Sequence, residues 1–418
     1  MPAEVTFFNV GQGDCTLIVF YGKDPAKGEA AVLVDFGTTN EISHKFNGPV
    51  AEDTVRMYNH VPEEIAKKLA ALKSPNTLDL LILTHPDQDH YNLMSHLLFT
   101  RGTTEEEKTT TFRFKVRNVL YAGKLDEYTS IRVRGPHMKK VLQDWNKHKT
   151  AAGDQAIENL PRRLAAEVVT PELLVPMPGG GAKAGLYLIA GMTASPDLGP
   201  PAAKKAKPDA ELPSEERANR HSIALMLLGA ATADGKAQRV FLMADTGHEV
   251  ESVLMSRTGP DWDIGLRKTG MSWLKAGHHG SAVSTTPEWL DFIKPDGIFI
   301  SAGTSKNYKH PRLSHLAKIV QKWKSNSPVI PEVQLIPADP LLPEIGYYHD
   351  IAGELPRIVA PDKPLNKFLT EPGIRGVATS LVRYVDEAAG RTDIESVGYD
   401  WHLTIDVAGP NTYRLTYS

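Results

Sequence analysis

The chain has 418 residues, with 47 Lys and Arg against 50 Asp and Glu, a formal net charge of −3 and 41% hydrophobic residues. That balance excludes the global basic signature of a nucleic-acid binder, and the length allows about two or three domains. No stretch reaches the ~20 apolar residues that span a bilayer, the start MPAEVTFFNVGQGD lacks a signal-peptide pattern, and the lone Cys15 rules out an intramolecular disulfide, so the expectation is a cytoplasmic protein with no membrane partner.

In chain order, residues 4–21 read as a strand, a glycine-rich turn and a strand (EVTFFNV, GQGD, CTLIVFY). Gly11 and Gly13 suit a tight turn or a close backbone approach. A third strand, Ala30–Asp35, ends in Asp35-Phe36-Gly37, and three early strands with short connections suggest a meander. Val61–Lys73 reads as a helix with Pro62, Glu63 and Glu64 in its first turn and Ile65, Leu69 and Leu72 on one face. The apolar run Leu78–Leu83 then stops at Thr84, and His85, Asp87, Asp89 and His90 follow, with a helix expected over Tyr91–Leu98.

Residues 100–111 are polar and read as a mobile loop. Lys115–Tyr121 is a strand, His137–His148 a helix, and Leu186–Ala190 a strand after a Pro/Gly-rich run at Val175–Gly185. Residues 195–218 are rich in Pro, Ala and charge and read as a flexible loop. His221–Leu228 and Arg239–Ala244 read as a hairpin ending at Asp245, with a helix through Met255. Ser272–Ala276 is a strand running into Gly277-His278-His279-Gly280-Ser281. Pro287–Ile293 is a helix, Gly297–Ala302 a strand and Ser314–Lys324 a helix; Gly376–Val385 and Trp401–Val407 are strand-like.

A strand, then a polar cluster, then a helix recurs at His85, Asp245, His279 and His310, and layered α/β architectures collect ligands where strands end. In a loop just past a strand, residues two apart can point the same way, so His85 and Asp87 can share one ion and Asp89 and His90 another. Asp245 is the right type to bridge them, and His279 to close one site. Two such ions would generate a hydroxide nucleophile and clamp an in-line displacement. Asp14 either orients a ligand or stabilises its turn, and Cys15 reads as packing.

The motifs NVGQGD, LVDFG, THPDQDH, NRHSIAL, LMADTG, KAGHHGS and SAGTSKNYKHP, in that order, make residues 4–320 resemble the metallo-β-lactamase superfamily, and within it the hydrolase domain of the ComEC competence protein. The resemblance implies an α+β fold, an αββα four-layer sandwich with the metals at one edge between two sheets. It implies a hydrolase domain over 1–344, with insertions at about 100–184 and the flexible loop 195–218, and a C-terminal extension over 345–418. The implied metal ligands are His85, Asp87, Asp89, His90, Asp245 and His279, with His221 or Asn219 at the third motif. His279 is the ligand favoured in HHGS, which leaves His278 as an orienting or substrate-facing group. Asp89, His278 and His310 are the catalytic candidates, either histidine serving to protonate a departing oxygen. Asp87 stands where many superfamily members carry histidine; this matches the ComEC branch, enriches the site in oxygen and leaves zinc and manganese both open.

The function expected is therefore a metal-dependent hydrolase, a phosphodiesterase or nuclease with two divalent ions (Zn or Mn). Alternatives are hydrolysis of another small ester, a phosphocholine ester or a lactone, and a non-catalytic metal-stabilised binding protein. The sequence carries no channel-forming segment, so the resemblance extends to chemistry and not to DNA uptake. Residues 124–149 hold seven basic side chains (Lys124, Arg132, Arg134, Lys139, Lys140, Lys147, Lys149) against Asp126, Glu127 and Asp144. This stretch is a solvated face or a surface for a nucleic-acid or nucleotide substrate.

Overall fold

The computed structural model describes residues 2–417 except 9, 11–12, 23, 25–26, 39–59, 101–110, 132–134, 194–213, 234, 258, 260–261, 263–265, 267–269, 296, 303–331, 338–400 and 406–412. The first half carries β1 (Ala3–Phe7), β2 (Thr16–Tyr21), β3 (Gly28–Val34), α1 (Val61–Ala70), β4 (Thr77–Leu83), the short helices α2 (Gln88–Tyr91) and α3 (Met94–Leu98), β5 (Thr111–Phe112), β6 (Lys115–Tyr121), α4 (Met138–Gln143), β7 (Lys149–Thr150) and β8 (Arg162–Arg163). Then come β9 (Glu172–Pro176), β10 (Gly185–Ala190), α5 (Ser214–Arg220), β11 (Ala224–Leu228), β12 (Arg239–Leu242), α6 (His248–Ser256), β13 (Ser272–Lys275), α7 (Pro287–Ile293), β14 (Gly297–Ala302), β15 (Glu332–Pro337), β16 (Trp401–Ile405) and β17 (Tyr413–Tyr417).

Two large sheets result, ordered β17-β16-β1-β2-β3-β4-β6-β8 and β15-β14-β13-β12-β11-β10-β9. Each begins as an antiparallel meander and continues in parallel strands. β1, β2 and β3 are antiparallel, and β4 and β6 run parallel to β3. Likewise β10, β11 and β12 are antiparallel, and β13 and β14 run parallel to β12. The carboxyl ends of β3, β4, β12, β13 and β14 are where the polar motifs leave the sheets.

Side-chain alternation assigns the layers. Val5, Phe7, Ile18, Phe20, Val32, Leu80 and Ile82 of the first sheet share one buried core with Leu225, Leu227, Val240, Leu242, Trp273 and Phe299 of the second. Phe7 and Phe299 stack across that gap at 4.3 Å between ring centroids. The alternate residues Leu17, Val19, Leu33, Leu81 and Leu83 pack outward with Ile65 and Leu69 of α1 and with α3 and α4. On the far side, Met226, Phe241, Leu274, Ile298 and Ile300 pack with Val250 and Leu254 of α6 and Trp289 and Ile293 of α7. The order of layers is helix, sheet, sheet, helix: the expected αββα sandwich. Burial on both faces also explains why these strands read as apolar runs rather than as a polar/apolar alternation.

Several elements differ from expectation. The helix expected over 61–73 stops at Ala70. The one expected over 91–98 is two short helices, because Asn92 turns its side chain to the backbone of Thr38, accepting from its N–H at 3.0 Å and donating to its carbonyl at 2.8 Å. The helix over 137–148 ends at Gln143 and gives way to a 3-10 turn at Trp145–Lys147. Residues 214–218, read as flexible loop, are helical in α5, and β11 starts at Ala224 rather than at His221. At the C-terminus, β16 pairs antiparallel with β1 and β17 with β16. The expected loop 100–111, helix 314–324 and strand 376–385 fall wholly or largely outside the described residues.

His148 sits in the outer core beside Phe99 and Phe112, only 3% exposed. Burial lowers its pKa against the Val141 carbonyl and Asp144, which raise it; Lys140 and Lys147 add to the lowering. Folding therefore favours the neutral imidazole, whereas the unfolded chain takes up a proton below about pH 6.5. Its contribution is fully present above that pH and is lost as pH falls through it. His148→Phe is expected to hold its stability better than the wild type between pH 7 and pH 5, the gap widening as pH falls. Denaturant unfolding across that range checks this; a gap independent of pH means that His148 titrates normally.

Candidate metal centre

The metal-loop residues leave β4 at Thr84 and are gripped from two sides. The Asp35 carboxylate accepts from the Thr84 backbone N–H at 2.8 Å and its hydroxyl at 2.6 Å. The N–H of Asp14 donates to the Asp89 carbonyl, and that of Phe36 to the His90 carbonyl. Gly13 and Gly37 let these backbones meet: a Cβ on Gly37 would lie 2.5 Å from the Asp89 carbonyl carbon. Gly13 and Asp14 of one motif and Asp35, Phe36 and Gly37 of the next thus form the cradle of the THPDQDH loop.

The second sheet supplies the opposite wall. Asp245 follows β12, its backbone N–H 3.4 Å from the Ser222 hydroxyl. His278 and His279 follow β13 in left-handed backbone, φ 45° and 52°, and Ala244 and Asp35 are also left-handed at 44° and 57°. For non-glycine residues such conformations cost about 1–3 kcal/mol each and concentrate where function requires them. The turn is held by His278 N–H to the Ala244 carbonyl at 2.7 Å and by the Ser284 hydroxyl to the Gly277 carbonyl at 2.6 Å. Buried Glu251 braces the next segment by accepting from the Thr285 and Thr286 N–H groups and the Thr286 hydroxyl.

Between these walls three imidazoles converge on Asp245. His90 Nε2 lies 3.1 Å and His279 Nε2 3.6 Å from its Oδ1, and His85 Nε2 lies 3.7 Å from its Oδ2. Asp89 is 3.2 Å from His279 Nε2 and Asp87 3.6 Å from His85 Nε2. Each imidazole is set from behind. His90 Nδ1 donates to Asp35 at 2.8 Å, and His279 Nδ1 to the Ser301 carbonyl at 2.7 Å. His85 Nδ1 lies 3.1 Å from the Thr84 hydroxyl, whose proton goes to Asp35, and 3.2 Å from the Ser222 hydroxyl. With the proton on Nδ1, each Nε2 would present a lone pair to a metal that displaces the second proton. All three Nε2 atoms and Asp245 Oδ1 are buried, and their only partners are one another and Asp87 and Asp89, in contacts that lack good hydrogen-bond geometry. Buried polar atoms are ordinarily paired, so this orphaned set fits a metal. Two groupings have ligand atoms within 4.8 Å of one another: His85, His90 and Asp245, and Asp89, His90 and His279.

The electrostatics agree. Burial pushes the Asp245 carboxyl up, but His279, His90 and His278 outweigh it and hold it well below the usual carboxylate range. Burial opposes charge on His279 too, yet Asp245, Asp89 and Asp14 push it up to about 9. The pocket gathers Asp14, Asp35, Asp87, Asp89 and Asp245, and Lys275 pairs with Asp14. It therefore draws positive charge, which protons on histidines or a divalent ion can supply.

Of the residues singled out from sequence, His85, Asp87, Asp89, His90, Asp245, His278 and His279 come together. His221 is half-buried at the end of α5 and joins none of the metal-ligand groupings among the described residues. Asn219 carries a buried Oδ1 without a hydrogen bond. His310 lies outside the described residues. Sequence reasoning gave no role to Asp35, Thr84, Ser222 or Lys275, although Asp35 ends a strand inside a quoted motif and Ser222 closes the NRHS segment.

No helix among the described residues is long and apolar enough to cross a membrane. No protein-family model matches the chain, and no curated protein matches it. Solved structures similar to it include unliganded yeast PDE1, at 12% identity over 85% of this chain and 93% of that one, with a TM-score of 0.35. A mutant of CmlA β-hydroxylase aligns at 12% identity over 79% of this chain and 52% of that one, TM-score 0.32. The metallo-β-lactamase SMB-1 in complex with mercaptoacetic acid aligns at 11% identity over 93% and 97%, TM-score 0.24. Likenesses this weak add no argument to the one made by the side chains: a His/Asp cluster at one edge of an αββα sandwich, built to hold divalent metal.

Proposed function

We propose that the chain is a metal-dependent hydrolase of the metallo-β-lactamase type that cleaves a phosphodiester with two divalent ions. The observation that carries this reading is the convergence of three buried imidazole Nε2 atoms on the two oxygens of Asp245. His85, Asp87 and Asp245 would hold one ion, and Asp89, His90, Asp245 and His279 the other. Bound there, the ions supply Lewis acidity, acidifying a water and polarising a phosphoryl oxygen. The protein's own part is to fix imidazole tautomers through Asp35, Thr84, Ser222 and Ser301, and to hold Asp245 ionised. Protonation of the departing oxygen falls to His310 or His278. The mixed carboxylate and imidazole donors suit zinc or manganese.

A nucleic-acid substrate draws less support from the surface. Lys139 pairs with Asp126, and Lys140 and Lys147 with Asp144, so three of the seven basic side chains at 124–149 are already in ion pairs. The test is turnover of a chromogenic phosphodiester by the purified full chain loaded with Mn²⁺ or Zn²⁺, beside the Asp89→Ala/Asp245→Ala variant. Metal-dependent turnover in the wild type and none in the variant is expected; equal rates, or a metal-loaded protein with no turnover, would sink the phosphodiesterase reading. Metal binding without turnover on esters or lactones would point to the binding-protein alternative. A nuclease further predicts affinity that falls steeply with salt.

A further inference from the structure

His90 belongs to three groupings whose ligand atoms lie within 4.8 Å of one another, and they reach it from two sides of its ring. Nε2 faces Asp245 at 3.1 Å. Nδ1 faces the rear grouping, with Asp35 Oδ2 at 2.8 Å and Asp14 Oδ2 at 3.9 Å. Imidazole and carboxylate donors suit the same divalent ions on either side, so spacing and donor type do not choose between them. We propose that the buried Lys275 ammonium makes the choice: it is a fixed internal cation that closes the grouping of Asp14, Asp35 and His90 Nδ1 and confines divalent metal to the Nε2 side. This rests on the metal-dependent reading above and makes Lys275 a positioning residue of the centre.

Three observations carry it. First, Lys275 Nζ pairs with Asp14 Oδ2, the oxygen that faces His90 Nδ1, so the ammonium takes the lone pairs a rear ion would need. Second, Asp14 cannot swing away to another partner. Its N–H donates to the Asp89 carbonyl at 3.0 Å, its carbonyl accepts from the Gly37 N–H at 3.2 Å, and the Gly13 carbonyl beside it accepts from the Ser301 hydroxyl at 2.6 Å. Its Oδ1 is buried without a hydrogen bond, 4.0 Å from His279 Nδ1, whose proton goes to the Ser301 carbonyl. Third, Lys275 stands on β13 of the second sheet and reaches the turn between β1 and β2 of the first, yet it is 3% exposed, as is Asp14. Buried lysines are rare, and an ion pair this deep adds little net stability over apolar packing. Removing the ammonium alone leaves a buried carboxylate uncompensated, and that charge recruits a cation.

The test is metal stoichiometry by elemental analysis and calorimetric titration with Mn²⁺ and Zn²⁺ on the full chain, in wild type, Lys275→Met, Lys275→Gln and Lys275→Met/Asp14→Asn. Glutamine keeps a donor for Asp14 without the charge, so Lys275→Gln separates loss of the cation from loss of the hydrogen bond. Both single variants are expected to bind one divalent ion more per chain than the wild type. The double variant, whose rear grouping lacks a carboxylate, should lose that extra ion. A purely structural ion pair predicts lower stability and weaker binding with no ion gained. Unless both single variants exceed the wild-type count, the proposal is overturned, and an extra ion that persists in the double variant overturns it too. Because the incoming ion replaces the ammonium, single variants that stay unfolded at saturating Mn²⁺ and Zn²⁺ overturn it as well. The wild-type count tests the two-ion reading and the difference between variant and wild type tests this one, so either can fail alone.

Discussion

Replacing Asp245 by alanine is expected to empty both halves of the centre at once. Its two oxygens are the shared element: His90 and His279 gather at Oδ1, His85 and His278 at Oδ2, and the side chain is 4% exposed. On the proposed two-ion reading, removing it would subtract one donor from each ion, together with the charge that draws positive partners into the pocket. A ligand that binds only the folded state at 100 times its dissociation constant adds about 2.7 kcal/mol per site, a few °C in a chain of this size. The wild type should therefore lose several degrees in melting temperature on chelation, and Asp245→Ala should melt alike with and without chelator. On the proposed phosphodiesterase reading, turnover should fall to the level of the metal-stripped wild type. Asp245→Asn keeps shape and one oxygen, and is expected to retain part of the metal affinity. Two tightly held ions in Asp245→Ala would contradict the bridging role.

The ends of the buried strands were legible because parallel strands covered on both faces read as apolar runs, and a run that stops abruptly at His or Asp exposes the motif. Asp245 was legible that way. Asp35 was not, although it also ends a strand, because its role depends on β3 and β4 lying side by side so that its carboxylate reaches Thr84 and His90. Nothing in the period of a single strand reports its neighbour. The same holds for Ser222, 137 residues from His85 and within 3.2 Å of its Nδ1. The apolar pattern that begins beside His221 places it at the start of a strand. The helix α5 instead runs to Arg220, so the residue closes a helix before β11 opens. HHGS announced a ligand turn, but only the backbone dihedrals show that both histidines face Asp245. Of the C-terminal strands, β16 was legible as a strand and β17 was not; that both extend the first sheet through β1 is a matter of partners.

Gly37→Ala is expected to dismantle the His90 half of the centre without touching a ligand. Gly37 is absent from the positive-φ positions, so its requirement is space and not dihedral freedom. A Cβ there would lie 2.5 Å from the Asp89 carbonyl carbon, 2.6 Å from the Gln88 oxygen and 2.6 Å from the His90 nitrogen. All three are backbone atoms, so no side chain can swing aside. The loop cannot retreat freely either: Phe36 N–H holds the His90 carbonyl at 2.8 Å, Leu93 N–H the Phe36 carbonyl at 3.1 Å, and Asp14 N–H the Asp89 carbonyl at 3.0 Å. Relief must displace Asp89 and His90 together. Overpacking of cores costs about 1–3 kcal/mol where side chains can adjust, and a backbone clash should reach or exceed the upper end. Gly153→Ala supplies the contrast: φ there is +86° but nothing lies within 4 Å, so strain arises without a clash. That variant should lose about 1 kcal/mol and keep the metal content of the wild type. Gly37→Ala should lose several times more stability and bind the ion of Asp89, His90 and His279 at least about 100-fold more weakly, while the His85 side is less affected. Calorimetric titration beside denaturant unfolding separates the two variants, and wild-type affinity for both ions in Gly37→Ala would show that the glycine cradle does not position the metal loop.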